Sequence, residues 1–324
     1  MRRYEGLEAF SPPAAGTALC IGAFDGVHRG HQALLRKARQ EAERFGAEVV
    51  AVTFEPHPLA VLRPDRAPPR LTTAEEKLAL LAQAGADGAI VLASEPALFE
   101  QAPATFLQRI VDACRPRAVV EGPTFRFGRG RSGSIDTLRD FARAAGFEAH
   151  VLDELRASPP PDAPVINSSA VRALVHAGRV QEAAEMLGRL YRITGVVGGD
   201  DQRGAALGFP TANLDHIPQL APGEGVFAAA AQLEGGELWP AAVNIGPQPT
   251  FDQYRSRVEA HLLGFRGELH GQRVGLYFHS RLRDQQRFEN VPALVAQLER
   301  DVQSVRDLVD VETIRAASPI PVAS

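Results

Sequence analysis

The chain has few of the residues that build disulfide-bonded, thiolate-metal or membrane-spanning proteins. Two of its 324 residues are cysteines, and the distance between Cys20 and Cys114 excludes the C-x-x-C spacing of a zinc or redox site. We expect both to be buried thiols in a reducing compartment. No apolar run approaches the ~20 residues that cross a bilayer, and the amino terminus lacks the apolar stretch of a signal peptide. These absences predict a cytoplasmic protein.

An excess of positive charge is also missing. The formal net charge is -4 and the pI is about 6.2, and the arginines are scattered along the chain. We therefore expect neither nucleic acid nor a membrane as a partner. The length predicts two domains or one large one. The sequence leaves the oligomeric state open.

Short β-branched apolar runs alternate with amphipathic helical stretches in the first half of the chain. This alternation predicts an α/β fold with a doubly wound parallel sheet. The first predicted helix ends at Gly46, and a capping box at Thr72–Glu75 predicts the start of another. The predicted strands lie near residues 17–24, 48–54, 88–92, 117–121 and 147–152.

Three loops are predicted to meet at one edge of this sheet. They cover residues 22–31, 54–58 and 121–133, and each follows a predicted strand. Ligands of such folds bind beyond the carboxyl ends of the strands. The sequence therefore predicts a single crevice lined by these loops.

The first loop, GAFDGVHRGH at Gly22–His31, carries an H-x-G-H pair where a strand gives way to a helix. Unpaired N–H groups and the helix dipole favour an anion at a helix start. The imidazoles of His28 and His31 add donors that can stabilise developing negative charge. This pattern therefore predicts an enzyme that acts on a triphosphate. The alternative is two loop histidines on a solvated turn.

A second candidate phosphate site follows a proline-rich loop at Ser158–Pro164. Ser168, Ser169 and Arg172 precede or open a predicted helix that runs on as AVRALVHAGRVQEAAEML. Hydroxyls and a guanidinium at a helix start suit a phosphate. The alternative is an ordinary N-cap serine with a surface arginine.

After Leu190 the pattern changes to short β-rich segments separated by Gly, Pro and Asn, which predicts a small antiparallel β-barrel. A helix near residues 291–309 closes the domain. We place the domains at residues 1–187 and 188–310, followed by a flexible tail at 311–324. The predicted barrel strands are residues 192–197, 225–233, 239–245, 258–265 and 273–282.

Seven segments in order resemble the bifunctional riboflavin kinase/FAD synthetase family of bacteria. They are GAFDGVHRGH, TFEPHP, FRFG and INSSAVR in the first half, and LGFPTANL, NIGPQPTF and VEAHLL in the second. The resemblance covers nearly the whole chain. It implies that the barrel phosphorylates riboflavin to FMN with ATP. It also implies that the parallel-sheet domain joins FMN to the α-phosphate of a second ATP, giving FAD and pyrophosphate.

The resemblance also implies roles for individual residues. The implied catalytic residues are His28, His31 and Glu259, the last as general base of the kinase. Thr211 and Asn213 offer the oxygen ligands that Mg²⁺ prefers. The implied nucleotide-binding residues are Gly22, Phe24, Gly30, Ser168, Ser169, Arg172, Gly199, Arg203 and Gly204. The implied flavin-binding residues are Phe54, Pro56, Pro58, Thr124, Phe127 and Arg283.

Some positions depart from the family pattern, and this leaves alternatives. An acidic residue near a triphosphate adds repulsion, so Asp200 bears on kinase efficiency. There are three competing hypotheses. The barrel could be a flavin-binding or regulatory module without kinase activity, or the whole protein could be a non-catalytic nucleotide sensor. The third is another H-x-G-H adenylyltransferase, which acts on pantetheine phosphate. The last would lack the FRFG loop and the barrel. The departures are Thr124 and Asn167 in the first half, and Asp200, Ala205, Gly264 and Gln285 in the second.

Overall fold

The structure is a computed structural model, and it describes residues 1–157, 163–199, 207–248 and 255–317. Its contacts divide the chain into two compact units. The first comprises Met1–Arg70 and Ala74–Asn167, and the second begins at Ser168 and also takes in Leu71–Thr73.

The first unit is built on a six-stranded parallel sheet in the order β1-β4-β3-β2-β5-β6. Because β2 lies between β3 and β5, the loops that follow these three strands start next to one another at the same edge of the sheet. This confirms the doubly wound α/β fold. The strands are β1 (Arg2–Glu5), β2 (Thr17–Ile21), β3 (Glu48–Glu55), β4 (Gly88–Ala93), β5 (Pro116–Glu121) and β6 (Glu148–Val151).

In the described residues six helices accompany the sheet, and the four longest bury side chains in the core of this unit. In α1 the buried residues include Leu35, Ala38 and Ala42, which recur at the spacing of one helix face. The helix ends at Gly46, as expected. The helices are α1 (Arg29–Phe45), α2 (Pro58–Leu62), α3 (Ala74–Gln83), α4 (Pro96–Phe99), α5 (Pro103–Cys114) and α6 (Ile135–Ala145).

Two features of this unit differ from the expectation. Strand β2 ends at Ile21 and not at Phe24, because Phe24 adopts a positive φ of 51°, which no strand residue has. Strand β1 was not predicted. Its sequence RRYE is short and charged, and it is ordered by parallel pairing with β4.

The second unit is a closed antiparallel barrel of six strands in the order β10-β11-β8-β7-β12-β9. This confirms the predicted barrel, with one strand, β8, that the sequence did not indicate. Four residues long, β8 is too short for a clear alternating pattern. The strands are β7 (Tyr191–Val197), β8 (Ala212–Asp215), β9 (Gly225–Gln232), β10 (Leu238–Gln248), β11 (Arg255–Leu262) and β12 (Arg273–Arg283).

Four helices of the described residues belong with the barrel: α7 (Ser168–His176), α8 (Val180–Leu187), α9 (Val291–Leu308) and α10 (Val311–Ala317). The single helix expected before the barrel is therefore two. It breaks at Gly178, whose φ of 70° is left-handed and ends a helix readily. The segment from residue 311, expected to be a flexible tail, is helical to Ala317, and Ile314 is buried in the core of this unit.

None of the helices in the described part of the chain combines the length and apolar character needed to cross a membrane.

Candidate active sites

The histidine loop is held in place by two buried apolar residues. Phe24 and Val27 are each 1% exposed and have positive φ angles of 51° and 38°. A positive φ is costly for bulky side chains and is common at functional sites. Burial of these two side chains compensates for that strain and directs the chain into α1.

His28 is the N-cap of α1. Its Nδ1 accepts a hydrogen bond of 3.4 Å from the backbone N–H of His31, and the two imidazole rings stack with centroids 3.7 Å apart. Gly30 permits this arrangement, because a Cβ there would lie 3.0 Å from His28 Nδ1. Gly22, Phe24, Gly30 and both histidines are therefore brought together, as the sequence predicts.

The side chain of His31 is half-buried. Burial, and secondarily the neighbouring His28, hold the pKa of His31 well below its ordinary value. Its Nδ1 is buried and has no hydrogen-bond partner among the residues that the structure describes. An unsatisfied nitrogen at a helix N-terminus is costly unless a ligand uses it, so a polar group of a ligand suits this position.

The residues of the predicted flavin side lie at the end of β3 and in the segments that follow β3 and β5, on either side of the histidine loop. The Phe54 ring is half-buried against the core, Pro56 is exposed, and Pro58 opens α2. Thr124 is exposed. Phe127 is only 7% exposed and packs in the core beside Phe125 and Phe106, so its ring presents little surface to a ligand.

The serine-rich motif opens α7 and belongs to the second unit. Ser168 and Ser169 are the first two residues of the helix. Arg172 follows one turn later and is half-buried. Asn167, immediately before the helix, is exposed and donates to the carbonyl of Val165 at 3.3 Å.

In the barrel, three polar residues form a row across adjacent strands. Glu259 on β11 is the register partner of Asn244 on β10 and of Asn213 on β8. Asn244 Nδ2 donates to Glu259 Oε2 at 3.1 Å. On the other side, Arg257 Nε lies 3.0 Å from Glu259 Oε1 and 3.2 Å from Asn213 Oδ1. The neighbours of these residues in β10 and β11, Val243, Ile245, Val258 and Ala260, are fully buried, so the row lies on the opposite face of the strands.

Asn244, Arg257 and Glu259 line a cavity of 410 Å³, a size that suits a small-molecule ligand. Thr211 and Glu259 both line it, together with apolar side chains of α9 such as Leu294 and Leu298. Arg283 also lines the cavity, but its guanidinium is held by Asp301 at 2.7 Å. Gly199 is near the row, since its carbonyl accepts from Asn213 Nδ2 at 3.4 Å.

Several sequence predictions fall outside the described residues. They are the nucleotide-binding residues Arg203 and Gly204, the departures Asp200 and Ala205, residues 158–162 of the proline-rich loop, and residues 318–324 of the predicted tail.

Comparison with known proteins agrees with this two-part arrangement. A family model for FAD synthetase matches residues 11–159, and one for riboflavin kinase matches residues 187–309. The bifunctional riboflavin kinase/FMN adenylyltransferase of Pseudomonas fluorescens is 34% identical over 315 residues, covering 95% of this chain and 98% of that protein. The protein of the same name from Escherichia coli K12 is 33% identical over 296 residues, or 91% of this chain and 93% of its own.

The chain belongs to the bifunctional riboflavin kinase/FMN adenylyltransferase family.

One solved structure matches nearly the whole chain in fold. It is titled as a macrolide-efflux protein from Streptococcus pneumoniae, and it aligns over 95% of this chain and 100% of its own with a TM-score of 0.86. The sequence identity is 24%, so the likeness shows the fold alone.

The sequence did not single out the two polar residues that contact Glu259 in this family member, Asn244 and Arg257. Asn244 lies within the NIGPQPTF motif, and the alternation of β10 would have placed it on the face opposite the core. Arg257 lies two residues before Glu259, so it shares that residue's face of β11. Gln285, seen only as a departure from the family pattern, proves to bond directly to Asn244.

Proposed function

We propose that this protein carries out two consecutive reactions at separate sites, with the barrel phosphorylating riboflavin and the parallel-sheet unit adenylylating the FMN produced. Membership of the bifunctional family supports both activities. The observation that carries the kinase assignment is the row Asn244–Glu259–Asn213 beside a cavity of 410 Å³. The stacked His28 and His31 at the start of α1 carry the adenylyltransferase assignment.

In the kinase step, Glu259 is the proposed general base. The terminal ribityl hydroxyl of riboflavin loses its proton to this carboxylate while its oxygen forms a bond to the γ-phosphorus of ATP. The bond from the γ-phosphorus to the bridging oxygen breaks, and ADP leaves. Asn244 donates to one oxygen of Glu259 and Arg257 forms an ion pair with the other, which supports a fixed orientation of the base.

Thr211 and Asn213 are the proposed ligands of Mg²⁺. The fit rests on their chemistry, since a hydroxyl and an amide oxygen are hard donors. Asn213 Oδ1 accepts from the cationic Arg257, and a positively charged partner at this oxygen supports the proposal. When bound, Mg²⁺ would neutralise charge on the phosphoryl oxygens of ATP.

In the adenylyl transfer, the protein needs no nucleophile of its own. A phosphate oxygen of FMN forms a bond to the α-phosphorus of ATP, and the bond from the α-phosphorus to pyrophosphate breaks. We assign stabilisation of the charge on the leaving pyrophosphate to His28 and His31, helped by the N-terminus of α1. Phosphate-binding roles for Gly22, Phe24, Gly30, Ser168, Ser169 and Arg172 belong to the same proposal.

The remaining assignments are part of this proposal as well. Phe54, Pro56, Pro58, Thr124 and Phe127 form the flavin side of the adenylyltransferase, with Phe54 offering more accessible ring surface than Phe127. Arg283 belongs to the flavin side of the kinase. The functional boundary lies at residues 187 and 188, where the second family model begins. Two free, buried cysteines suit a reducing cytoplasm.

The test is a pair of variants assayed for both activities. Purified His28→Ala should convert riboflavin to FMN at the parental rate, and its conversion of FMN to FAD should fall by roughly 10²–10³. Glu259→Gln keeps the shape of the side chain and removes the base. Its riboflavin phosphorylation should fall by about 10²–10⁴, with adenylylation of supplied FMN unchanged. Chromatography separates riboflavin, FMN and FAD.

Each variant provides its own folding control, because each should keep one of the two activities at the parental level. Parental FAD formation by His28→Ala would remove that histidine from the mechanism, and parental kinase activity of Glu259→Gln would remove the base. A parental protein that adenylylates FMN but does not phosphorylate riboflavin would show that the barrel is a binding or regulatory module.

A further inference from the structure

The first turn of α3 contains a buried lysine, Lys77, whose side chain is 7% exposed. Leu80 and Leu81, three and four residues later, are also buried, so the lysine lies on the core side of the helix. A buried ammonium is costly unless charged and polar groups accept its hydrogen bonds. The partners of Lys77 therefore show what this lysine holds in place.

Lys77 donates to the last two residues of β3. Its Nζ lies 2.9 Å from the carbonyl oxygen of Phe54 and 3.2 Å from Glu55 Oε2. The other carboxylate oxygen of Glu55 accepts from the half-buried Arg70 at 2.7 Å. Lys77 thus connects helix α3 to both the backbone and a side chain at the end of this strand.

The carbonyl of Phe54 needs this donor because the neighbouring strand has already ended. The carbonyl of Val52 accepts from the N–H of Gly22 at 3.0 Å, just after the end of β2 at Ile21. Carbonyls two residues apart in a strand point the same way, so the carbonyl of Phe54 points to the side where β2 no longer continues. Lys77 supplies the donor that a longer β2 would have supplied.

The ammonium of Lys77 also interacts with the histidine loop. Burial lowers the pKa of Lys77, whereas the negative charges of Glu55 and Asp25 act in the opposite direction. Asp25 lies in the histidine loop and is 7% exposed. A single buried charge therefore acts on the loop that carries the two histidines and on the strand end that carries Phe54.

We propose that Lys77 is a positioning residue of the adenylyltransferase, which fixes the flavin-side end of β3 beside the histidine loop by holding the Phe54 carbonyl and the Glu55 carboxylate. This inference rests on the proposed flavin-binding role of Phe54. Lys77 needs no contact with either substrate for this role, because it sets the position of the Phe54 ring through the backbone.

Lys77→Met tests this role with little change in the length of the side chain. Methionine removes the charge and the donors and suits buried, apolar surroundings. We expect KM for FMN to rise roughly tenfold or more, as for loss of a hydrogen bond that involves a charged group. KM for ATP should stay parental, because the histidine loop keeps its own bonds to β3, from Gly22 to Val52 and from the Thr53 hydroxyl to the Ala23 carbonyl.

The experiment measures steady-state conversion of FMN to FAD by the full-length protein and its variants, with FMN and ATP varied separately. Partial unfolding would lower the measured kcat, because fewer molecules are active, but it would leave KM unchanged. The comparison of KM with kcat thus separates positioning from a merely structural role. The matched control is Lys37→Met in α1, which removes a lysine that pairs with Glu41, and both KM values should stay parental in it.

Phe54→Ala, alone and combined with Lys77→Met, shows whether the effect passes through the flavin side. We expect Phe54→Ala to raise KM for FMN, and the double variant to raise it by less than the product of the two single effects. A parental KM for FMN in Lys77→Met, an equal rise in KM for ATP, or the full product in the double variant would each overturn the role of Lys77 while leaving that of Phe54. A parental KM for FMN in Phe54→Ala would instead overturn the flavin assignment, and the inference with it.

Discussion

Among single residues, Glu121 shows how a side chain can extend a sheet where its backbone ladder ends. The pairing of β2 with β5 runs from Thr17 to Leu19. Two residues further along β2, the backbone N–H of Ile21 donates to Glu121 Oε1 at 2.6 Å. The carboxyl of Glu121 thus joins the two strands at the edge from which the histidine loop leaves.

The environment of Glu121 favours its protonated form. The side chain is 3% exposed, and burial raises the pKa of Glu121 well above its ordinary value, although the Ile21 N–H acts in the opposite direction. The folded protein therefore binds this proton more tightly than the unfolded chain does. Its contribution to stability is fully present below the unfolded pKa and is lost as the pH rises through the folded pKa.

We predict that Glu121→Gln makes the protein less sensitive to rising pH. Glutamine keeps an oxygen that can accept from Ile21 and does not titrate. The variant and the parent should melt at similar temperatures near about pH 5, and the variant should melt higher near about pH 8. Thermal unfolding followed by circular dichroism at the two pH values measures this. A constant difference in melting temperature at both would contradict the assignment.

Among the secondary-structure elements, helix α9 is joined to the barrel by a buried ion pair. Arg283 at the end of β12 donates from Nε and from a terminal nitrogen to Asp301 of α9, at 3.0 and 2.7 Å. The side chains are 14% and 5% exposed. Gln297, one turn earlier in the helix, also donates to Asp301 at 2.8 Å. The same helix supplies one wall of the 410 Å³ cavity.

We predict that Asp301→Ala destabilises the barrel by about 3–5 kcal/mol, because it leaves a buried arginine without its partner. The loosened helix should also raise KM for riboflavin. Unfolding in urea can be followed by the fluorescence of Trp239, the only tryptophan of the chain, which lies in β10 of the barrel.

The matched control is Glu312→Ala in α10, which also breaks an ion pair, to Arg315, but at an exposed position. Exposed pairs contribute little, so its urea midpoint should stay close to the parental value. Equal midpoints for the two variants would show that the Asp301 pair does not anchor α9.

At the scale of the whole molecule, the compact unit around the barrel begins before the kinase family model does. Helices α7 and α8 belong to this unit, although the model starts at residue 187. The N–H of Gly223 donates to the carbonyl of Val175 at 3.0 Å, and Val175, Val180 and Leu187 are fully buried. The structural unit thus begins at residue 168, before the functional boundary that we propose at residues 187 and 188.

We predict that a fragment starting at residue 168 resists urea better than one starting at residue 188. Loss of α7 and α8 removes several buried aliphatic side chains, each of which contributes about 1.5–3 kcal/mol when buried. Trp239 fluorescence reports the unfolding of both fragments. Identical midpoints would mean that the two helices add nothing to the stability of the barrel.

Local pattern was enough to predict most elements of both units. The alternation of strands and helices up to residue 152, the end of α1 at Gly46 and five of the six barrel strands follow from periodicity and capping, which involve residues close in sequence. Short elements were missed for the same reason. Strands β1 and β8 have four residues each, and pairing with neighbouring strands defines them.

The sequence by itself determined the two domains, the family and the position of the histidine loop, because those are carried by motifs and by short-range periodicity. Only the tertiary structure decided which polar groups meet. Asn244 and Gln285 are 41 residues apart, and Ile21 and Glu121 are 100 apart. Strand register and barrel closure bring such residues together, and these depend on contacts across the whole unit that no local pattern records.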